Sequence, residues 1–307
     1  MMIDDETRGA LCTLRDWVRW GASCCQRAGL HYGHGTDNAL DEVAALMLYA
    51  IDLAPGIPER YWDTRLTPWE AERFVALLTR RIDERRPLPY LVGEAWFCGL
   101  PFTVDERVLI PRSPIAELIE SGFAPWLDAD AVTRVLDLGT GSGCIAIACA
   151  LAFPQATVDA VDIDGGALAV ATANRERHHL GARLALWEGS LYAPLPPARR
   201  YDLIVSNPPY VDAEDMAALP AEFRHEPTRA LAAGADGLDL VRGILAGAAA
   251  RLTPDGVLVV EVGNSAEAVC ATWPHLPLQW LEFERGGEGV FLITAGQLRD
   301  HWRAEGG

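Results

Sequence analysis

AVTRVLDLGTGSGCIAIACALAF (131–153) reads as a strand, a glycine loop and a helix with no linker between them. AVTRVLDLG is short, apolar and rich in Val and Leu, as a strand covered on both faces must be. CIAIACALAF (144–153) is apolar all round yet too short to span a bilayer, so it reads as a buried crossover helix. Between the two, Gly139, Gly141 and Gly143 let the backbone turn sharply and approach a ligand without Cβ collisions. Such a unit opens a doubly wound sheet, in which ligands bind at the carboxyl ends of the strands.

Downstream the rhythm repeats. TVDAVDID (157–164), RLALWEG (183–189), YDLIVSN (201–207) and GVLVVEVG (256–263) read as further strands, with helices expected over 143–152, 166–179 and about 237–252. Short Val/Leu/Ile strands joined by helical crossovers predict a parallel sheet covered on both faces. LQWLEFERGGEGVFLIT (278–294) carries a Gly-Gly turn between two strand-like runs, a terminal hairpin that adds antiparallel pairing. Upstream, residues 1–86 carry apolar residues at helical spacing. One of these helices opens on Thr67, Pro68 and Glu70, the pattern of a capping box with proline at the first helical position. PLPYLVGEAWFCGLPFTVDERVLIP (87–111) predicts a β-hairpin linker, followed by a helix in SPIAELIESGFAPWL (113–127). The expected organisation is a helical domain over 1–86, a hairpin linker over 87–111 and an α/β domain over 112–307.

The formal net charge of −17 argues against sequence-independent binding to nucleic acid, and it favours a basic partner. The chain contains no lysine, which excludes Schiff-base chemistry and a lysine-bearing phosphate loop. None of its seven cysteines forms a C-x-x-C pair, so small buried hydrophobes are expected rather than a disulfide framework or a metal site. MMIDDETRGA (1–10) is acidic and lacks the order of a secretion signal, so a cytosolic location is the expectation. His178 and His179 fall at the polar end of a helix, where solvated side chains are expected.

Two features narrow the ligand. Asp162 ends the second strand, 19 residues beyond Gly143, where a carboxylate can accept both hydroxyl hydrogens of a ribose. The loop spacing is G-x-G-x-G rather than the G-x-G-x-x-G of pyrophosphate binders, and Asp137 precedes it. A carboxylate there suits a ligand with ammonium and sulfonium groups. S-adenosylmethionine is therefore expected over NAD.

The fourth strand ends in SNPPYV (206–211), where two prolines stop any ladder. In a doubly wound sheet this strand lies beside the first, so Asn207 is expected to face the reactive end of the cofactor. A planar amide nitrogen is a poor nucleophile because its lone pair is delocalised. The Asn207 side-chain oxygen and the Pro208 carbonyl are two acceptors able to take both N–H hydrogens and draw charge onto that nitrogen. Prolines 208 and 209 stiffen the turn, and Tyr210 is expected to pack against the planar group.

With these residues in place, the chain resembles the protein-glutamine N5-methyltransferases, from the helical N-terminal part through PLPYLVGEAWFCGLPFTVDERVLIPR (87–112), DLGTGSG (137–143) and VSNPPYV (205–211) to the GVF of the last hairpin. That resemblance implies S-adenosylmethionine as donor, held by Gly139, Thr140, Gly141, Gly143 and Asp162, and a substrate amide held by Asn207, Pro208, Pro209 and Tyr210. Of the two branches, IPRSPIAELIE (110–120) and VDAEDMAALPAEFRHEP (211–227) look like the branch acting on large-subunit ribosomal protein three, uL3, rather than on peptide-chain release factors. In EGSLYAPL (188–195), Ser190 stands where family members often carry an acid near the adenine. A DNA adenine-N6 methyltransferase, which uses the same N-P-P-Y logic on a flipped base, is the rival reading. It calls for a basic groove, which this acidic sequence does not display.

Overall fold

The computed structural model describes residues 3–305. The chain falls into two compact units, residues 1–94 with 220–225, and residues 95–219 with 226–307. The reading of the first ten residues includes Met1 and Met2, which lie outside the described residues.

The first unit is helical. Its helices Leu14–Arg27, Ala39–Ala50 and Pro68–Asp83 bury Trp17, Leu46, Met47, Phe74 and Leu78 against one another. Thr67 caps the third of these, and Glu70 returns the bond to the Thr67 N–H, forming the expected capping box. A buried ion cluster crosses this core. Arg81, 1% exposed, pairs with Glu42 at 2.7 Å and lies 3.7 Å from Glu222, both carboxylates being 2% exposed. Glu222 belongs to the short segment 220–225, and it also accepts the His31 N–H and an Arg85 N–H. Phe223, on the same segment, packs on the rings of His31 and His34.

The hairpin expected over 87–111 is shorter. Leu88–Val92 is a helical turn, because Pro89 sits in its first turn, where no N–H is needed. Two strands follow, β1 (Glu94–Phe97) and β2 (Leu100–Thr103), joined by Cys98 and Gly99, both at positive φ as a two-residue hairpin requires. The helix expected over 113–127 covers only Ile115–Glu120, since Gly122 and Phe123 turn left-handed just beyond it.

The second unit carries one seven-stranded sheet. Its strands are β3 (Arg134–Leu138), β4 (Thr157–Asp162), β5 (Leu184–Glu188), β6 (Tyr201–Ser206), β7 (Leu252–Glu261), β8 (Gln279–Trp280) and β9 (Val290–Thr294), in the order β5-β4-β3-β6-β7-β9-β8. The first five pair in parallel, and β9 runs antiparallel between β7 and β8. The residues at the centre of β3, β4, β6 and β7 are buried, as two-sided cover demands. The chain moves outward from β3 to β4 on one side and returns to β6 on the other, which puts the switch point between β3 and β6. The crossover helices span Cys144–Ala152, Gly165–Arg177 and Asp239–Arg251, close to the expected ranges. His178 corrects its expectation: the ring bonds the Pro101 carbonyl at 2.9 Å and packs on Phe102. Among the described residues no helix is long and apolar enough to cross a membrane.

Candidate active site

The site lies in the second unit, at the carboxyl ends of β3, β4 and β6. Parallel register sets Leu138 beside Val161 on one flank and Ser206 on the other. Gly139 and Asn207 are the next residues of their strands and Asp162 ends its own, so three neighbouring strands offer them side by side. All three line one cleft, together with Thr140, Gly141 and Pro209. The Ser206 hydroxyl donates to the Leu138 carbonyl at 2.7 Å and locks the two strand ends together.

The glycines divide their labour. A Cβ on Gly139 would lie 4.0 Å from the Asn207 carbonyl and the Pro208 Cα, so the loop and the N-P-P-Y turn face each other across bare backbone. Gly141, at φ +54°, opens on free space in the cleft wall. Gly143 does not line the cleft. It caps the buried helix at φ +81°, and a Cβ there would stand 3.3 Å from Ala171.

Two carboxylates hold the loop from different sides. Asp137, expected to face ligand cations, is buried at the foot of the loop, with one carboxylate oxygen unmatched by the protein. It accepts the Thr140 hydroxyl at 2.6 Å and the Ala146 N–H at 3.2 Å. Burial pushes its carboxyl up to about 7, and these two hydrogen bonds oppose that rise. Asp162 accepts the Gly141 N–H at 2.8 Å on one oxygen and the Asp164 N–H at 2.9 Å on the other. Burial raises its pKa as well, against the Asp164 and Gly141 hydrogen bonds. A carboxylate offers about four lone-pair positions, so each Asp162 oxygen keeps one for a ligand hydroxyl.

Asn207 carries the feature that points to a substrate. Its side-chain oxygen is buried and accepts no hydrogen bond from the protein. Leaving such an acceptor unmatched costs about 1–3 kcal/mol, which a bound N–H donor recovers. Pro208 is buried next to it. Tyr210 is not in the cleft wall: its hydroxyl donates to Glu261 at 3.2 Å.

The arginines that line the cleft are already matched. Arg107 pairs with Asp105 at 2.6 Å, Arg112 is held by both oxygens of the buried Glu226, and Arg229 lies 3.6 Å from Asp164. Acceptors and neutralised cations suit a cationic ligand with ribose hydroxyls better than a diphosphate, so the residues present fit S-adenosylmethionine. Ser190 lines the cleft and brings no carboxylate to it.

Sequence reading missed Asn174. Fully buried, it accepts the Thr103 N–H and donates to the Thr103 and Ser142 carbonyls, fastening the hairpin to the glycine loop. The signal was an amide on the apolar stripe formed by Ala167, Val170 and Ala171.

Asp162→Ala is expected to weaken cofactor binding by about 2 kcal/mol, since hydrogen bonds to a charged group contribute about 1.5–3 kcal/mol. Calorimetric titration with S-adenosylmethionine measures it. An unchanged dissociation constant would remove Asp162 from the ribose site.

Residues 122–235 match the family model described as Methyltransferase small domain. The ribosomal protein uL3 glutamine methyltransferase of Burkholderia pseudomallei (strain K96243) is 51% identical over 293 residues, 93% of this chain and 95% of that protein. Its namesake from Bordetella pertussis (strain Tohama I) is 48% identical over 297 residues, 96% of this chain and 99% of that protein. Among solved structures, the hMettl16 catalytic domain in complex with MAT2A 3'UTR hairpin 6 superposes with a TM-score of 0.53 at 17% identity, covering 81% of this chain and 92% of that one. At that identity the likeness concerns the fold alone.

Proposed function

Because this chain belongs to the family of ribosomal protein uL3 glutamine methyltransferases, we propose that it methylates the side-chain amide nitrogen of a glutamine in uL3. Neither rival is favoured, because both relatives are uL3 enzymes that align over almost their whole length with this chain. The observation that carries the mechanism is the buried, unpartnered side-chain oxygen of Asn207 in the cleft wall.

Bound S-adenosylmethionine supplies an electrophilic methyl group. Gly139, Thr140 and Gly141 give it a wall of bare backbone, and Asp162 takes the ribose hydroxyls while it holds the loop. Asp137 keeps that loop in shape through Thr140 and Ala146. On the substrate side, Asn207 accepts one amide hydrogen and the Pro208 carbonyl the other, which concentrates charge on the nitrogen and orients it for in-line attack. Pro208 and Pro209 fix these acceptors before the substrate arrives. The cation formed on nitrogen is acidic enough to lose its proton to a neighbouring carbonyl or to water, so no strong base is required.

The helical unit, with residues 220–225, takes the role of gripping the protein substrate. Its support is connectivity: the segment that leaves the N-P-P-Y turn lodges in that unit through Glu222 and Phe223. A ribosomal protein substrate supports a cytosolic location for the reaction. A chain of net charge −17 associates fastest with a basic ribosomal protein at low salt.

Mass spectrometry of uL3 from cells with and without the gene tests the assignment. The expected result is the loss of one methyl group from one glutamine when the gene is absent. An unchanged uL3 mass would overturn it.

A further inference from the structure

The last residue of the N-P-P-Y turn is held at three points by one short segment. Glu261, at the end of β7, accepts the Tyr210 hydroxyl. Gly263 presses bare backbone against the ring: a Cβ there would come within 2.6 Å of a Tyr210 ring carbon. The Ser265 hydroxyl donates to the Tyr210 backbone carbonyl at 2.7 Å. The segment is itself braced. The Val262 N–H donates to the Gly289 carbonyl at 2.7 Å, and the Gly263 backbone lies so close to Gly289 that position 289 has no room for a side chain. The second Glu261 oxygen accepts the hydroxyl of buried Ser113. Just after the turn, the Val211 N–H donates to the Leu231 carbonyl and the Val211 carbonyl accepts the Ala233 N–H, both at 2.9 Å. Everything about the far end of the turn is matched, while its near end, Asn207, keeps an acceptor unmatched.

We infer that Glu261, Gly263 and Ser265 form a clamp that positions the substrate-binding turn, with Tyr210 acting as the anchored handle of that turn. Tyr210 then serves the reaction through its attachment, and Glu261 is a positioning residue that touches neither cofactor nor substrate. The inference rests on the function proposed above, in that the turn is taken as the amide-binding element.

A clamp of this kind is sensitive to protonation. As a carboxylate, Glu261 accepts from Ser113 and Tyr210 at once, and a protonated carboxyl must turn one oxygen into a donor. The groups facing it are Ser113, Tyr210 and the guanidinium of Arg112, which is itself neutralised by Glu226. Burial pushes the Glu261 carboxyl up to about 7, against the bonds from Ser113 and Tyr210 and the nearby Arg112 charge. Turnover is therefore expected to fall as pH drops through that region, where Asp137, also raised to about 7, adds its own part of the limb.

The test uses Tyr210→Phe, Glu261→Gln and the double variant, in the full chain, with two readouts. The first needs no substrate: hydrogen exchange at the Val211 and Ala233 amides without cofactor. Each single variant is expected to accelerate exchange about tenfold, and the double variant no further, because both remove one shared bond. The second is uL3 methylation per cofactor-binding molecule. Each single variant is expected to lower kcat about tenfold with the cofactor dissociation constant unchanged, the losses again not multiplying, and Glu261→Gln is expected to make the acid limb shallower. Wild-type exchange rates in both single variants overturn the clamp, and so do losses of kcat that multiply in the double variant. Variants that show the exchange pattern, with wild-type protein that leaves uL3 unmodified, refute the functional assignment and leave the clamp standing.

Discussion

Asn207→Ala is expected to fold, to bind S-adenosylmethionine with wild-type affinity, and to lose turnover by ~10²–10³, as removal of one preorganised partner does in comparable electrostatic sites. The basis is the side-chain oxygen that the protein leaves buried and unmatched in the cleft wall. An asparagine that served only to end β6 would bond nearby backbone, as the neighbouring Ser206 hydroxyl bonds the Leu138 carbonyl of β3. Asn207→Asp sharpens the test. It keeps an acceptor of nearly the same shape but adds a negative charge beside a sulfonium whose charge disperses in the transition state. Its turnover is expected to lie between those of wild type and Asn207→Ala. Single-turnover kinetics with uL3, alongside calorimetric cofactor titration, separates the two roles. Wild-type turnover in Asn207→Ala would dismiss Asn207 as an amide acceptor.

The second large effect is on stability. Arg81→Met removes a cation that sits between Glu42 and Glu222 with all three side chains at most 2% exposed, and leaves Glu222 with Arg85 at 3.3 Å but Glu42 stranded. Breaking a buried pair by removing one partner costs about 3–5 kcal/mol, because the remaining charge stays buried without its counterion. Hydrogen exchange in the helices Leu14–Arg27 and Pro68–Asp83 is expected to report that loss as local opening. Adding Glu42→Gln to Arg81→Met removes the stranded charge and is expected to recover part of the stability. Wild-type protection in Arg81→Met would show that the carboxylates do not depend on Arg81. The same cluster fixes an acid limit. Burial pushes the Glu222 carboxyl up, but the His31 N–H, Arg85 and Arg81 outweigh it and hold the group below its ordinary value of 4.5. A depressed acid contributes stability that is complete above that ordinary value and lost as pH falls through the folded one. Circular dichroism on acid titration is expected to place the loss of helix below pH 4.5.

The doubly wound part was legible because each strand is a short apolar run closed by a glycine, an acid or a proline. Gly139, Asp162 and Asn207 were legible for the same reason: parallel register turns three strand ends into three neighbours. What escaped reading depends on partners far along the chain. Asn174 meets Thr103 across 71 positions and Glu261 meets Ser113 across 148, so neither pairing has a local pattern. Asp137 was legible on its strand, but its bonds to Thr140 and Ala146 were not, since a residue one step from a turn can also bond the loop that follows it. The final helix, Ala295–Glu305, had a signal that went unread, for Thr294 and Gln297 form a reciprocal cap at its start. The first hairpin is shorter than the stretch 87–111 suggests because Pro87 and Pro89 open a helical turn ahead of it.

The segment 220–225 has a consequence for how this enzyme can be taken apart. The chain crosses between its two units after Glu94, again after Leu219 and again after His225, so three covalent passages join them. A fragment beginning at Ala95 would keep six residues whose anchors, Arg81, Arg85 and His31, had been cut away. Glu222 would then be a charge without counterions and Phe223 an aromatic side chain without cover. The helical unit is therefore not a module appended to a self-sufficient catalytic core. Genetic exchange of residues 1–94 between related enzymes is expected to succeed only if residues 220–225 travel with them, so the helical unit is inherited as two separate stretches of the gene.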